Sequence, residues 1–293
     1  MIKNTLCLFL VGILLLTSCN QTPTADQDTQ TESDLRIISL SGFLTETLFS
    51  LGYGDNIIGA DITSTYPAAM DSVPRLGHVA QLNAEAILAM KPDFIFVESG
   101  QVAQAKALDQ IRAANLTIVE VPTSYTFDNS VKAAKVIAES LETDETIIQE
   151  LASTIESDSL ELASMLEGLE ERPSVLFIYA RGLGRLMISG TGTSTTEMVN
   201  RAGGELAISS FEGYQALTPE SLVEASPEVI LMFESGLASL DGKEGLSQIT
   251  GMEQIPAYKN GRIITMDGHY LSSFGPRVGK AAIELASKLK ESM

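Results

Sequence analysis

The chain of 293 residues contains two histidines, and both stand in segments that could do chemistry. His78 lies in "PRLGHVAQLNAEAIL", just ahead of a helical pattern, and His269 lies in "MDGHYLSSFGPR" near the C-terminus. Neutral imidazole is a common metal ligand, although an exposed loop histidine is the plainer reading of either position taken alone. Arg277 is harder to set aside. "FGPR" opens the pattern of the last helix, "RVGKAAIELASKLKES", and a cation in a first turn opposes the helix dipole at a cost of a few tenths to about 1 kcal/mol. Local stability does not explain that arginine; holding a carboxylate would.

Familiar catalytic arrangements do not occur. There is no H-x-x-H, no H-E-x-x-H and no G-x-S-x-G elbow in a Ser-His-Asp order, and "GLGRLMISGTG" lacks the spacing of either phosphate-binding motif. Two histidines also leave few nitrogen ligands for zinc. An extracytoplasmic enzyme using a carboxylate or metal site is therefore the weakest of the readings kept open.

The two cysteines, Cys7 and Cys19, both fall in or beside the N-terminal segment "MIKNTLCLFLVGILLLTSCN". One lysine, an apolar run from Leu6 to Leu16 and small residues before Cys19 make residues 1–18 a lipoprotein signal peptide, since the run is shorter than the ~20 residues of a spanning helix. Cleavage would leave Cys19 lipidated at the new N-terminus and the protein as a membrane-anchored lipoprotein of the periplasm or cell envelope. Cys7 would be lost, so no disulfide or thiolate metal site remains. Residues 19–34 are rich in Thr, Gln and Asp without apolar periodicity, the composition of a disordered tether. Formal net charge changes from -19 to -20 when Lys3 leaves with the signal, a surface that repels nucleic acid and anionic headgroups.

These residues need a scaffold, and the rest of the chain supplies one. Strands are predicted at "RIISL", "IIGAD", "DFIFVES", "TIVEVP", "SVLFIYA", "EVILMFE" and "RIITMD", with helices at "LTETLFSLG", "NAEAILAMK", "AKALDQIRAAN" and "PESLVEA". Such alternation marks an α/β protein with mainly parallel sheets, because parallel strands need crossovers and helices usually provide them. The two halves also share a pattern. "NAEAILAMKPDFIFV" from Asn83 aligns without gaps on "TPESLVEASPEVILM" from Thr218, and "TETLFSLG" from Thr45 pairs with "TEMVNRAG" from Thr196. Two homologous lobes explain both matches, against a coincidence of generic helix-to-strand units. Residues 35–141 form the first lobe in this reading and 173–293 the second. The stretch 142–172, with apolar residues at helical spacing, is a linking helix of about 25 residues and about 37 Å, a rod that resists a wide hinge.

"RIISLSGFLTETLFSLG", "DITSTYPAAM", "GHVAQLNAEAILAMKPD", "FEGYQALTPESLVEASPEVILM" and "FGPR" together resemble the substrate-binding proteins whose lobes are joined by one long helix, and within them the haem-binding proteins of bacterial haem ABC importers. The resemblance covers nearly all of the chain after the tether. It implies an α/β fold of two similar lobes, a ligand cleft between them, and haem as the transported ligand with no catalytic cofactor. Delivery would be to a permease dimer with its ATPase. The family places an axial tyrosine at the position of His78 and an arginine at that of Ala80; this chain departs at both. The pair of changes is coherent, since a phenolate gains from a nearby guanidinium and a neutral imidazole does not. Loss or relocation of iron ligation is the other reading, and cobalamin or a ferric siderophore the other cargo.

The same resemblance assigns the remaining candidates. His78 is the expected axial ligand, with His269 or Tyr214 as a second. Arg277 and Arg181 are expected at the haem propionates, and Tyr66, Tyr125, Tyr179 and Tyr270 along the cleft. Glu85 and Glu220 hold equivalent places in the repeat. Acids in a first turn complement the dipole, which is the structural reading; docking to the permease is the one the family implies.

Overall fold

The computed structural model describes residues 35–104 and 106–292. The signal peptide, the tether and both cysteines lie outside the described residues. The first lobe runs β1 (Ile37–Ser39), α1 (Gly42–Ser50), β2 (Ile57–Ala60), α2 (Ala84–Ala89), β3 (Phe94–Glu98), α3 (Ala107–Ala113), β4 (Thr117–Val121) and α4 (Asn129–Leu141). Its four strands are all parallel in the order β2-β1-β3-β4. The run "IFV" at Ile95, Phe96 and Val97 is fully buried because both faces of the sheet are covered. Phe96 packs with Phe43, Leu44 and Ile137 of α1 and α4, while Ile95 and Val97 pack with Ile87, Leu108 and Ile111 of α2 and α3.

The linking helix is α5 (Glu145–Leu166), 22 residues or about 33 Å. It is shorter at both ends than the expected 142–172. Glu142 adopts a left-handed conformation (φ 54°) that ends α4, and Gly168 (φ 76°) turns the chain after α5, a job glycine does without strain. Asp144 caps the start, its carboxylate accepting from the Thr146 N–H at 2.9 Å. The helix gives Ile148 to the core of the first lobe and Leu162 to that of the second, so it is packed into both.

The second lobe contains β5 (Ser174–Ala180), β6 (Leu186–Ser189), α6 (Ser194–Arg201), β7 (Glu205–Leu206), β8 (Tyr214–Ala216), α7 (Pro219–Ala225), β9 (Val229–Phe233), α8 (Glu234–Ala238), α9 (Pro256–Lys259), β10 (Ile263–Met266), α10 (Gly268–Ser272) and α11 (Val278–Ser292). The order is β10-β9-β5-β6-β8, with β7 paired to β5. Strands β5, β9 and β10 are parallel, matching β1, β3 and β4 of the first lobe, and the aligned helix-to-strand units are α2–β3 and α7–β9. The lobes are thus built on one plan. Strands β6 and β8 depart from it: β6 turns back antiparallel on β5 through the Gly-rich turn Arg181–Arg185.

Helix α11 lies against α5 at Gly279. A Cβ there would sit 2.3 Å from the Asp158 Cβ, an atom fixed to the backbone of α5 that cannot swing away. Gly279→Ala is therefore expected to destabilise the protein by about 1–2 kcal/mol despite alanine's better helix propensity, as read from denaturant unfolding.

Candidate ligand cleft

Loops at the C-terminal ends of the parallel strands of both sheets converge on one cavity of about 860 Å³. This is where open α/β sheets place ligands, because backbone N–H groups and loop side chains collect there. The first lobe contributes Gly42 and Phe43 after β1, Ile62, Thr63 and Thr65 after β2, Glu98 at the end of β3, and Thr123 to Tyr125 after β4. From the second come Tyr179 and Arg181 at the end of β5, Phe233 at the end of β9, and Asp267 to His269 after β10. Aromatic packing supports the second wall: Phe233 stands edge-on to Phe177 at 4.8 Å and to Tyr179 at 6.1 Å.

Charge in the cavity is mixed. Burial pushes the Glu98 carboxyl up, and the Asp61 charge adds to this, against hydrogen bonds from Ser41 and Thr123. Burial likewise raises the Tyr125 phenol, with Tyr214 and Glu98 adding to it. On the opposite wall the Arg181 Nε donates to the Tyr179 hydroxyl oxygen, and its guanidinium lies 5.7 Å from that ring.

Behind the cavity floor lies a buried charge cluster that joins the lobes. The Glu46 carboxylate on α1 is 4% exposed and accepts two bonds from Arg277, Nε to Oε1 at 2.7 Å and Nη2 to Oε2 at 2.9 Å. His269 Nε2 meets the same Oε2 at 2.9 Å. Burial alone would push the Glu46 carboxyl up, but the hydrogen bonds and charges of His269 and Arg277 outweigh it and leave Glu46 below the ordinary 4.5. For Arg277, burial is outweighed by Glu46, and its pKa rises. Tyr66 covers the guanidinium at 3.5 Å and Tyr270 lies 4.7 Å from it. The Tyr270 phenol is pushed up to about 12, by burial first and by Glu284 next.

The cluster and the cavity place the expected site residues as follows. Arg277 does hold a carboxylate, but it is that of Glu46 rather than a ligand's, and the guanidinium is outside the cavity lining. His269 lines the cavity, and its Nε2, the ring nitrogen farther from the backbone, meets Glu46. Tyr66 and Tyr270 stack on Arg277 and are not among the cavity-lining residues. Tyr214 also lies outside that lining, 43% exposed on β8, with its hydroxyl 3.3 Å from Thr195 Oγ1. Tyr125, Tyr179 and Arg181 line the cavity. His78 is exposed at the start of the turn Val79–Gln81, where its Nδ1 accepts from the Ala80 N–H at 3.3 Å. The carbonyl of the preceding Gly77 accepts from Ile62, a lining residue, which puts the backbone next to His78 beside the first-lobe wall, though His78 itself is outside the lining.

Glu85 and Glu220 are exposed in the first turns of α2 and α7, one on each lobe, behind the caps Asn83 and Thr218. Sequence reasoning passed over Glu46. Its signal was an acid in "GFLTETL", a helix segment in which every residue is buried. Glu98 was passed over as well, as the polar end of an otherwise apolar strand.

Residues 37–270 match the family of periplasmic binding proteins. The chain belongs to that family. Its members are extracytoplasmic substrate-binding proteins that serve ABC transporters, and the two-lobed fold agrees with this. The structure of the periplasmic heme-binding protein RhuT from Roseiflexus sp. RS-1 superposes with a TM-score of 0.82 at 30% identity, covering 88% of this periplasmic binding protein and 98% of RhuT. An uncharacterized ABC transporter substrate-binding lipoprotein, YvrC of Bacillus subtilis, is 27% identical over 268 residues, 87% of this chain and 79% of YvrC. The vitamin B12-binding protein of Photorhabdus laumondii is 24% identical over 273 residues, 88% of each chain. No helix among the described residues is long and apolar enough to cross a membrane.

Proposed function

We propose that this periplasmic binding protein captures haem between its lobes and delivers it to an ABC importer, held to the membrane by a lipid at Cys19. The observation that carries the reading is the pair Tyr179 and Arg181 on the second-lobe wall. They sit two apart around the end of β5, both line the cavity, and the guanidinium donates to the phenolic oxygen. The guanidinium holds that oxygen at the cavity wall, and a tyrosine oxygen is an established ligand type for haem iron. The haem-binding family is expected to place a tyrosine and an arginine at this same spacing on the first lobe, at the positions of His78 and Ala80. Here the pair is on the other wall. Arg181 accordingly serves the Tyr179 oxygen before any propionate, while Phe43, Phe233 and Tyr125 offer apolar surface to a porphyrin face.

His78 is the candidate ligand from the first lobe. Its Nδ1 accepts from Ala80, so the neutral ring carries its proton on Nε2. Ligation through Nε2 moves the proton to Nδ1 and gives up that bond, at a cost of about 0.5–1.5 kcal/mol. Exposure of the ring leaves it free to make the change. Glu85 and Glu220 then provide one exposed carboxylate per lobe for registering the protein on a two-subunit permease.

Titration of the purified protein with haem is expected to give a shifted Soret band and the visible bands of phenolate ligation. Tyr179→Phe is expected to remove those bands, and Arg181→Gln to weaken binding by about 10–100-fold, the usual effect of losing a group that supports a metal ligand. His78→Ala should alter the spectrum if imidazole completes the coordination. No Soret shift, together with saturable binding of cobalamin, would overturn the haem reading in favour of a corrinoid, the cargo named for the Photorhabdus relative.

A further inference from the structure

We propose that Glu46 is the positioning residue that registers the two lobes across the cleft, whatever cargo the cleft holds. The carboxylate belongs to the first lobe, and the two side chains that hold it, His269 and Arg277, belong to the second, more than 220 residues along the chain. Two parallel bonds from a planar guanidinium set orientation as well as distance, which a single contact does not. The same guanidinium is covered by Tyr66 of the first lobe at 3.5 Å, so the first lobe grips Arg277 on an edge and on a face.

Backbone geometry supports the same role. A Cβ on Gly42 would lie 2.7 Å from His269 Nδ1 and 2.5 Å from the Thr63 carbonyl oxygen. The first residue of α1 is bare where the second-lobe imidazole passes it to reach Glu46, one turn further along. Gly42 and His269 both line the cavity, so this contact forms the floor on which the cleft opens and closes. Other side-chain contacts between the lobes carry no charge pair: Arg201 reaches the Tyr125 carbonyl oxygen at 3.2 Å and lies 5.0 Å from the Phe127 ring, which packs on the second-lobe core, and Tyr125 meets Phe274 at 5.5 Å between ring centres. Tyr125 is 45% exposed, whereas Glu46 is 4% and the His269 side chain 8% exposed. Opening the cleft at the floor requires a buried carboxylate to part from the Arg277 guanidinium and the His269 ring, a far larger penalty than parting an exposed contact. The lobe-to-lobe angle is therefore set at Glu46, with α5 as the covalent strut behind it.

The test needs no cargo. Amide hydrogen exchange and small-angle scattering are measured on the full chain, wild type and Glu46→Gln. Exchange in Gly268–Ser272 and in the loop of residues 61–66 is expected to speed up about tenfold or more, the scale of losing a charge-assisted hydrogen bond. The radius of gyration is expected to rise, while β3 and β9 keep their protection. Arg277→Lys keeps the charge and loses the fork, and is expected to give the same pattern at smaller size; it decides the matter should Glu46→Gln not fold. Unchanged exchange at Gly268–Ser272, or protection lost alike through every strand of the first lobe, would overturn the proposal. The first result would mean that the contact carries no load between lobes, and the second that Glu46 merely supports its own lobe.

Discussion

Replacing Glu46 by alanine is expected to lower the unfolding free energy by about 3–5 kcal/mol, the cost of leaving the part-buried Arg277 guanidinium without its counter-charge. The carboxylate is 4% exposed, takes two bonds from Arg277 and one contact from His269, and leaves them little water to turn to once it is gone. For a chain of this size that corresponds to a fall of roughly 6–20 °C in Tm. Removing both charges with apolar groups, as in Glu46→Leu with Arg277→Met, is expected to cost less than the single change, because no orphaned charge remains. A double-mutant cycle measured by denaturant unfolding checks both statements.

Acidity should expose the same residue. The Glu46 carboxyl titrates below its ordinary 4.5 in the folded protein, so its contribution is present above that value and is lost as pH falls through the folded pKa. The groups that face it are His269 and Arg277, with Tyr66 and Tyr270 against Arg277; Asp158 and Glu284 act on Tyr270 from α5 and α11. Tm measured below pH 4.5 is expected to fall more steeply in the wild type than in Glu46→Gln. Parallel acid limbs would show that other carboxylates dominate.

Phe177→Ala is the second large effect, about 3–5 kcal/mol. Phe177 is 2% exposed at the centre of β5, packed with Leu231 of β9 and Phe274, and it buttresses Phe233 at 4.8 Å. Phe233 in turn stands against Tyr179, so the void would loosen the cleft wall as well as the core. Ligand affinity should therefore drop together with Tm. Tyr214→Ala is the matched control: its ring is 6.5 Å from Phe177 but 43% exposed, and the change should stay within about 0.5 kcal/mol.

Much of the architecture was readable in the chain because it is local. Apolar runs of strand length, helix caps such as Asn83 and Thr218, and the repeated helix-to-strand unit all act over a few residues, and each is found where its pattern lay. Linking-helix ends were misplaced by a few residues, since Glu142 in a left-handed conformation is a permitted but unusual stop that no composition rule marks. Strands β6 and β8 were missed because "RLMIS" and "YQA" are short, with part of their side chains exposed, and β8 forms the edge of the sheet.

The site divides along the same line. Arg277 was readable as a residue that must hold a carboxylate, because its cost at the start of a helix is a local quantity. Which carboxylate it holds was not. Glu46 stands 231 residues away, and an arginine pairs with whichever acid the packed lobes bring within reach, Coulomb attraction having no memory of chain order. The same holds for His269, whose ring is turned to Glu46, and for Tyr66 and Tyr270, which stack on a part-buried guanidinium outside the cavity lining. By itself the sequence determined the class of fold, the doubling of its plan and the residue types able to bind; only the tertiary structure decided which of them face the cavity and which face each other, because that depends on how two separately formed lobes meet.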